Sequence, residues 1–174
     1  MADFTEREIK ELDIDWYCLV QGIPTHIASM GGMIPKAFRD RKDLRYSQDM
    51  VAGMEPVMDV NLNVDNIRSQ TEEGYSYLED EMIRETIERV NINNPGFVYL
   101  RDYELPVRLF AATFVEKARR GFRSYARIDG LEEDEYILIA SPLNPVGVDM
   151  EHLHLRELEC VLNDEGNRLR IIIQ

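Results

Sequence analysis

Apolar and polar positions are most legible near the start of the chain. Trp16-Tyr17-Cys18-Leu19-Val20 is a β-type run, Gln21-Gly22 is a turn signal, and Ile23-Pro24-Thr25-His26-Ile27 follows. Gly22 supplies the positive φ that a tight hairpin turn needs. A two-residue turn there places Trp16 opposite Ile27, Cys18 opposite Thr25 and Val20 opposite Ile23. That face is apolar and is expected on the core. The other, less apolar face carries Tyr17 opposite His26 and Leu19 opposite Pro24. Proline has no N–H for a ladder, so the second strand is expected to be an edge or bulged at Pro24.

Further along, Thr5-Glu6-Arg7-Glu8 has the pattern of a capping box ahead of a short helix ending near Leu12. Pro35 suits a first helical position. Residues 36–51 have helical composition, in one or two pieces, before Gly53 and Pro56. Residues 57–62 alternate as a strand does. A helical region follows over 66–90, with Ile67, Tyr75, Leu78, Met82, Ile83, Ile87 and Val90 at helical spacing. Gly74 bends or splits it. The clearest helix is 105–121, where Leu105, Leu109, Ala112, Val115, Ala118 and Phe122 form one stripe. Pro106 fits its first turn and Gly121 terminates it.

Residues 123–128 and 136–140 read as strands joined by an acidic loop, 129–135. The chain then closes on a hairpin. Leu158, Cys160 and Leu162 alternate on one strand, and Leu169, Ile171 and Ile173 on the other. Leu153 and Leu155 have the opposite parity to Leu158. Either a β-bulge sits near Arg156-Glu157 or 150–159 is partly helical. Together these elements predict one α+β domain over 1–174. Its sheet is mainly antiparallel and built from hairpins, with three to four helices packed largely on one face.

Charge narrows the partners. Twenty Lys and Arg stand against 33 Asp and Glu, a formal net charge of −13. Such a field repels phosphate backbones and anionic membrane surfaces, so neither nucleic acid nor membrane is expected as a partner. No segment has the apolar core of a signal peptide or the roughly 20 apolar residues of a bilayer span, which points to the cytoplasm. The two cysteines, Cys18 and Cys160, lie in apolar runs and read as small core hydrophobes.

Candidate chemistry is sparse, and each candidate has a plain structural account beside it. Tyr17 and His26 are opposed, so a phenol and an imidazole could converge on a small pocket. The plainer account is cross-strand packing, since the sequence places no carboxylate beside them. The hairpin register puts Cys18 and His26 on opposite faces, against a thiolate–imidazole pair. His152 and His154 would share a face on a strand and could begin a metal site, but two ligands are too few for one. No metal and no cofactor is therefore expected. Lys117, Arg119, Arg120, Arg123 and Arg127 are a basic cluster suited to an anion. Alternatively they offset a helix C-terminal dipole. Glu72, Glu73, Glu79, Asp80, Glu81, Glu85 and Glu88 stand against Arg84 alone, as a docking face for a basic protein or as a solvated helix surface. The reading this favours is a non-enzymatic, acidic protein-binding module. It would make an inhibitor- or immunity-like contact with a basic partner through residues such as Glu79, Glu81 and Glu85. The alternative is an enzyme or small-anion site near Tyr17, His26, Arg119, Arg120 and Arg123.

Overall fold

The computed structural model describes residues 2–127, 132–144 and 149–172. Strands β1 (Asp15–Val20) and β2 (Ile23–Ala28) form the predicted hairpin, in the predicted register throughout: Trp16 faces Ile27, Tyr17 faces His26 and Leu19 faces Pro24. Both turn residues take positive φ, 51° at Gln21 and 77° at Gly22. That is the twist a two-residue hairpin requires.

The remaining strands are β3 (Val60–Leu62), β4 (Arg123–Ala126), β5 (Glu135–Pro142), β6 (Cys160–Leu162) and β7 (Arg168–Ile171). They extend the hairpin into one sheet of order β1-β2-β4-β5-β7-β6, with β3 paired to β5. Among the described residues every pairing between these strands is antiparallel except β2 with β4. The strand carrying Pro24 is therefore interior. The proline is tolerated because the β2–β4 ladder begins one residue later, at Thr25 and Arg123. The sheet curls until its ends meet. The Leu19 amide donates to the Arg156 carbonyl, and the Leu158 amide donates to the Leu19 carbonyl, both at 2.8 Å.

Six α-helices are present among the described residues, more than the three to four expected: α1 (Glu6–Glu11), α2 (Arg41–Ala52), α3 (Val64–Thr71), α4 (Glu81–Asn91), α5 (Pro95–Tyr99) and α6 (Leu105–Ala118). The excess comes largely from the 66–90 region. It divides around Gly74 into α3, a 3-10 turn over Ser76–Glu79, and α4. The 150–159 segment takes the partly helical option, with a 3-10 turn at Glu151–Leu153 and a left-handed His154. Ile128, the start of the acidic loop at Asp129 and the last alternating residue, Ile173, lie outside the described residues.

Both faces of the sheet are buried. The inner face packs Trp16, Cys18, Ile27, Tyr125, Tyr136 and Leu169, with Ile9 of α1 and Leu44 of α2 closing it. The outer face packs Ala126, Ile137 and Ile139 under Val107, Ala111 and Val115 of α6 and Ile67 of α3. Cys18 is fully buried on the inner face, and burial pushes its thiol well above the usual range. No helix of the described residues is long and apolar enough to cross a membrane.

The predicted capping box is present at α1. Thr5 Oγ1 accepts from the Glu8 amide at 3.2 Å, and Glu8 Oε2 accepts from the Thr5 amide at 2.8 Å. Arg41 hydrogen-bonds the same carboxyl, and with Thr5 it lowers Glu8 from 4.5 to about 2. A carboxylate depressed in the folded state stabilises it above the unfolded value, and that share is lost as pH falls through the folded one. In urea titrations the native protein is expected to weaken more steeply than Glu8→Gln between pH 4.5 and about 2. Parallel pH profiles would remove Glu8 as a contributor.

Candidate functional site

The hairpin places three side chains of one face in line. Asp15 and Tyr17 are two residues apart on β1, so they share a side. His26 stands opposite Tyr17 on β2, and the parallel ladder sets Ser124 of β4 beside His26. The result is a polar row. His26 Nε2 meets Asp15 Oδ1 at 2.7 Å, and His26 Nδ1 meets Ser124 Oγ at 2.6 Å. A carboxylate only accepts. In the neutral ring Nε2 therefore carries the proton, and Nδ1 accepts from the Ser124 hydroxyl.

Aromatic rings surround the row. Tyr17 lies 5.3 Å from the imidazole between ring centres, and Phe114 of α6 lies 6.1 Å away. Phe122 meets Tyr17 edge-on at 5.2 Å. Burial drives the Tyr17 hydroxyl far above its usual pKa. Burial alone would also raise Asp15, but the hydrogen bond and charge of His26, aided by Lys117, together hold its carboxyl below the ordinary value.

An acid, an imidazole and a hydroxyl in this order resemble the chain used by serine hydrolases. The exposure is inverted, however. His26 and Ser124 are both 0% exposed, whereas the Asp15 side chain is 43% exposed. A nucleophile must meet its substrate, and this hydroxyl lies beneath α6. What the row does is satisfy a buried imidazole on both nitrogens. The expectation that no carboxylate stands near Tyr17 and His26 is thus overturned by Asp15. The face expected to be the less apolar of the two is dry at its centre, where Tyr17 and His26 are buried, and half-exposed at Asp15, Leu19 and Pro24.

The basic cluster is spread out. The Arg119 Nε donates to the Met58 carbonyl at 3.3 Å, and its guanidinium lies 4.6 Å from the Tyr99 ring centre. Arg120 donates to the carbonyls of Met54 at 2.9 Å and Glu116 at 2.8 Å. Arg123 sits at the start of β4, beside Gly166. Arg127 donates to the Met30 carbonyl at 3.2 Å. Arg119 and Arg120 tie the end of α6 to the 54–58 segment, and Arg120 lies close enough to Tyr17 to act on its hydroxyl electrostatically.

His152 and His154 flank Leu153 in the 3-10 turn rather than sharing a strand face. His154 stacks on Tyr46 at 6.4 Å, and the Tyr46 hydroxyl donates to the His152 carbonyl at 2.9 Å. Among the described residues no group of three or more His, Cys, Asp or Glu could hold a metal ion.

The acidic segment has a feature that its charges did not reveal. Glu79, Glu81 and Glu85 are exposed, and Asp80 caps α4 by accepting from the Ile83 amide at 3.1 Å. None of the eleven residues of α4 is buried. Met82 is 79% exposed and Val90 76%, and Ile92 just beyond the helix is 64% exposed. Of its apolar side chains Ile87 alone reaches inward among the described residues, onto the cluster of Leu78, Phe97 and Leu105. The helical spacing of Met82, Ile83 and Val90 predicted a stripe, and the stripe faces solvent. The chain matches no family model, no curated protein and no solved structure, so its function is read from these geometries alone.

Proposed function

We propose that the protein is a non-enzymatic binding module that docks a basic protein partner on its 72–92 surface, in the manner of an inhibitor or immunity protein. One observation carries this reading: α4 is amphipathic, yet its apolar flank, Met82 and Val90, is uncovered. An isolated helix of this length is marginal in water. A cap and one inward side chain hold it, at the cost of hydrated apolar area.

The acids complete the pattern. Glu72, Glu73, Glu79, Asp80, Glu81, Glu85 and Glu88 are all exposed around the apolar positions. Protein interfaces combine an apolar centre that dries on contact with a polar rim that sets partner choice and association rate. A rim of this sign favours a basic surface. The alternative, an enzyme or anion site around Tyr17, His26 and the arginines, has less support. His26 is sealed, and Arg119 and Arg120 already hold backbone carbonyls.

Affinity capture from extracts of the producing cells tests the proposal, using the native chain beside Met82→Asp/Val90→Asp. Both positions are exposed, so the fold should tolerate the change. The expected result is a basic protein retained at low salt by the native chain, released as salt rises, and absent from the variant. A native chain that captures nothing at low salt, or a variant that captures the same protein, would overturn the reading.

A further inference from the structure

The curled sheet ends in a cavity that shares no residue with the α4 surface. It has a volume of about 550 Å3 and lies between α1, residues 31–39 and residues 157–159. Small-molecule sites commonly run about 300–1,000 Å3. Its apolar lining is Ile9, Met33, Phe38, Leu158 and Ile172. Gly31 and Gly32 form part of the wall, where a side chain has no room. A Cβ on Gly31 would stand 2.8 Å from the Lys10 carbonyl oxygen, and one on Gly32 would stand 2.7 Å from Arg127 Cδ.

Charges of both signs line the same volume, from separate elements. Lys10 comes from α1, Lys36 from the 3-10 turn Lys36–Phe38, Glu133 from the chain ahead of β5, and Glu157 and Glu159 from the chain ahead of β6. The nearby guanidinium of Arg39 is already engaged. It donates to Glu6 Oε1 and to the Ile34 carbonyl, both at 2.6 Å. Among the described residues the Lys10 and Lys36 ammonium groups have no hydrogen-bond or ion-pair partner, though both lie close enough to Glu6 to help Arg39 lower its carboxyl. The Glu133 backbone carbonyl accepts from the Met33 amide at 2.8 Å, and among the described residues its carboxylate has no partner. Glu157 Oε1 accepts from the Gly22 amide at 2.8 Å, and among the described residues its second oxygen has no partner.

A purely anionic ligand would set its charge against the glutamates, and a purely cationic one would meet the lysines. The lysine and glutamate side chains are exposed at the rim of the cavity, so a neutral apolar ligand would fill the apolar lining and use neither set of charges. We infer that this cavity binds a small zwitterion with an apolar body, the chemistry of a hydrophobic amino acid or short peptide. Its carboxylate would be held by Lys10 and Lys36, its ammonium by Glu133 and Glu157, and its side chains by the apolar lining.

The test uses L-leucyl-L-leucine as probe, followed by NMR of the Met33 and Ile172 methyl groups in the full chain. Saturable shifts at both methyls are expected. N-acetylation removes the positive charge and amidation the negative one. Each is expected to weaken binding at least about tenfold, as befits loss of a charge-assisted contact. In Lys10→Met/Lys36→Met, both at exposed positions, the dipeptide should weaken similarly while its amide is unaffected. Absence of saturable shifts at millimolar dipeptide, or capped forms that bind as tightly as the free one, would overturn the inference.

Discussion

His26→Ala is expected to cost about 3–5 kcal/mol of folding free energy, combining an unfilled core volume with orphaned hydrogen-bonding groups. The imidazole fills space between Tyr17 and Phe114 and satisfies Ser124, whose hydroxyl is fully buried. Truncation strands that hydroxyl beneath α6 and leaves Asp15 without its 2.7 Å partner. Ser124→Ala should cost less, about 1–3 kcal/mol, because it removes one partner and little volume. Asp15→Asn should be milder still, since the amide oxygen can accept the same bond at a site that water reaches. Urea denaturation of the three variants checks the order. A loss below about 1 kcal/mol for His26→Ala would mean that the row carries no stability, since that is the size of a typical surface change.

Gly96→Ala is expected to be as damaging, at about 3 kcal/mol or more, through overpacking that neither helix can relieve. Gly96 lies in the first turn of α5, where a Cβ would run into the carbonyl of Ala112 on α6. It would stand 2.9 Å from that carbonyl carbon and 3.0 Å from Glu116 Cγ. The clash is with helix backbone, so α5 would have to lift away, taking the buried Phe97 and Leu100 with it. Gly74→Ala is the control. Its Cβ would meet nothing nearer than the Gln70 carbonyl at 3.7 Å, and it should be neutral or stabilising by up to about 1 kcal/mol through the unfolded chain. Equal melting temperatures for Gly96→Ala and the native protein would show that α5 does not rest on α6 in this way.

The candidate site was legible only in part. The Tyr17–His26 opposition followed from the Gln21-Gly22 turn, and Asp15 was within reach of the same argument, since it shares parity with Tyr17. Ser124 was not. It lies 98 residues from His26 and joins it through the parallel β2–β4 pairing, and strand alternation carries no information about which strand lies alongside. Likewise Met82, Ile83 and Val90 announced an apolar helical stripe, but periodicity does not say whether anything covers it. The cavity draws its lining from α1, the 31–39 segment and the chain around 133, 157 and 172, which no local pattern links.

What the amino-acid order determined by itself was therefore local: the β1–β2 register, the capping box at Thr5, the extent of α6 and the division near Gly74. Turn chemistry, capping and side-chain period act within a few residues of one another, and they need no distant partner to be expressed. Tertiary structure alone decided that Tyr17 and His26 are buried on their face of the hairpin, that Arg119 and Arg120 hold carbonyls of the 54–58 segment, and that α4 keeps its apolar flank in water. Those outcomes depend on which elements meet across long stretches of chain, where many alternative pairings satisfy the same local pattern and only packing of the whole selects one.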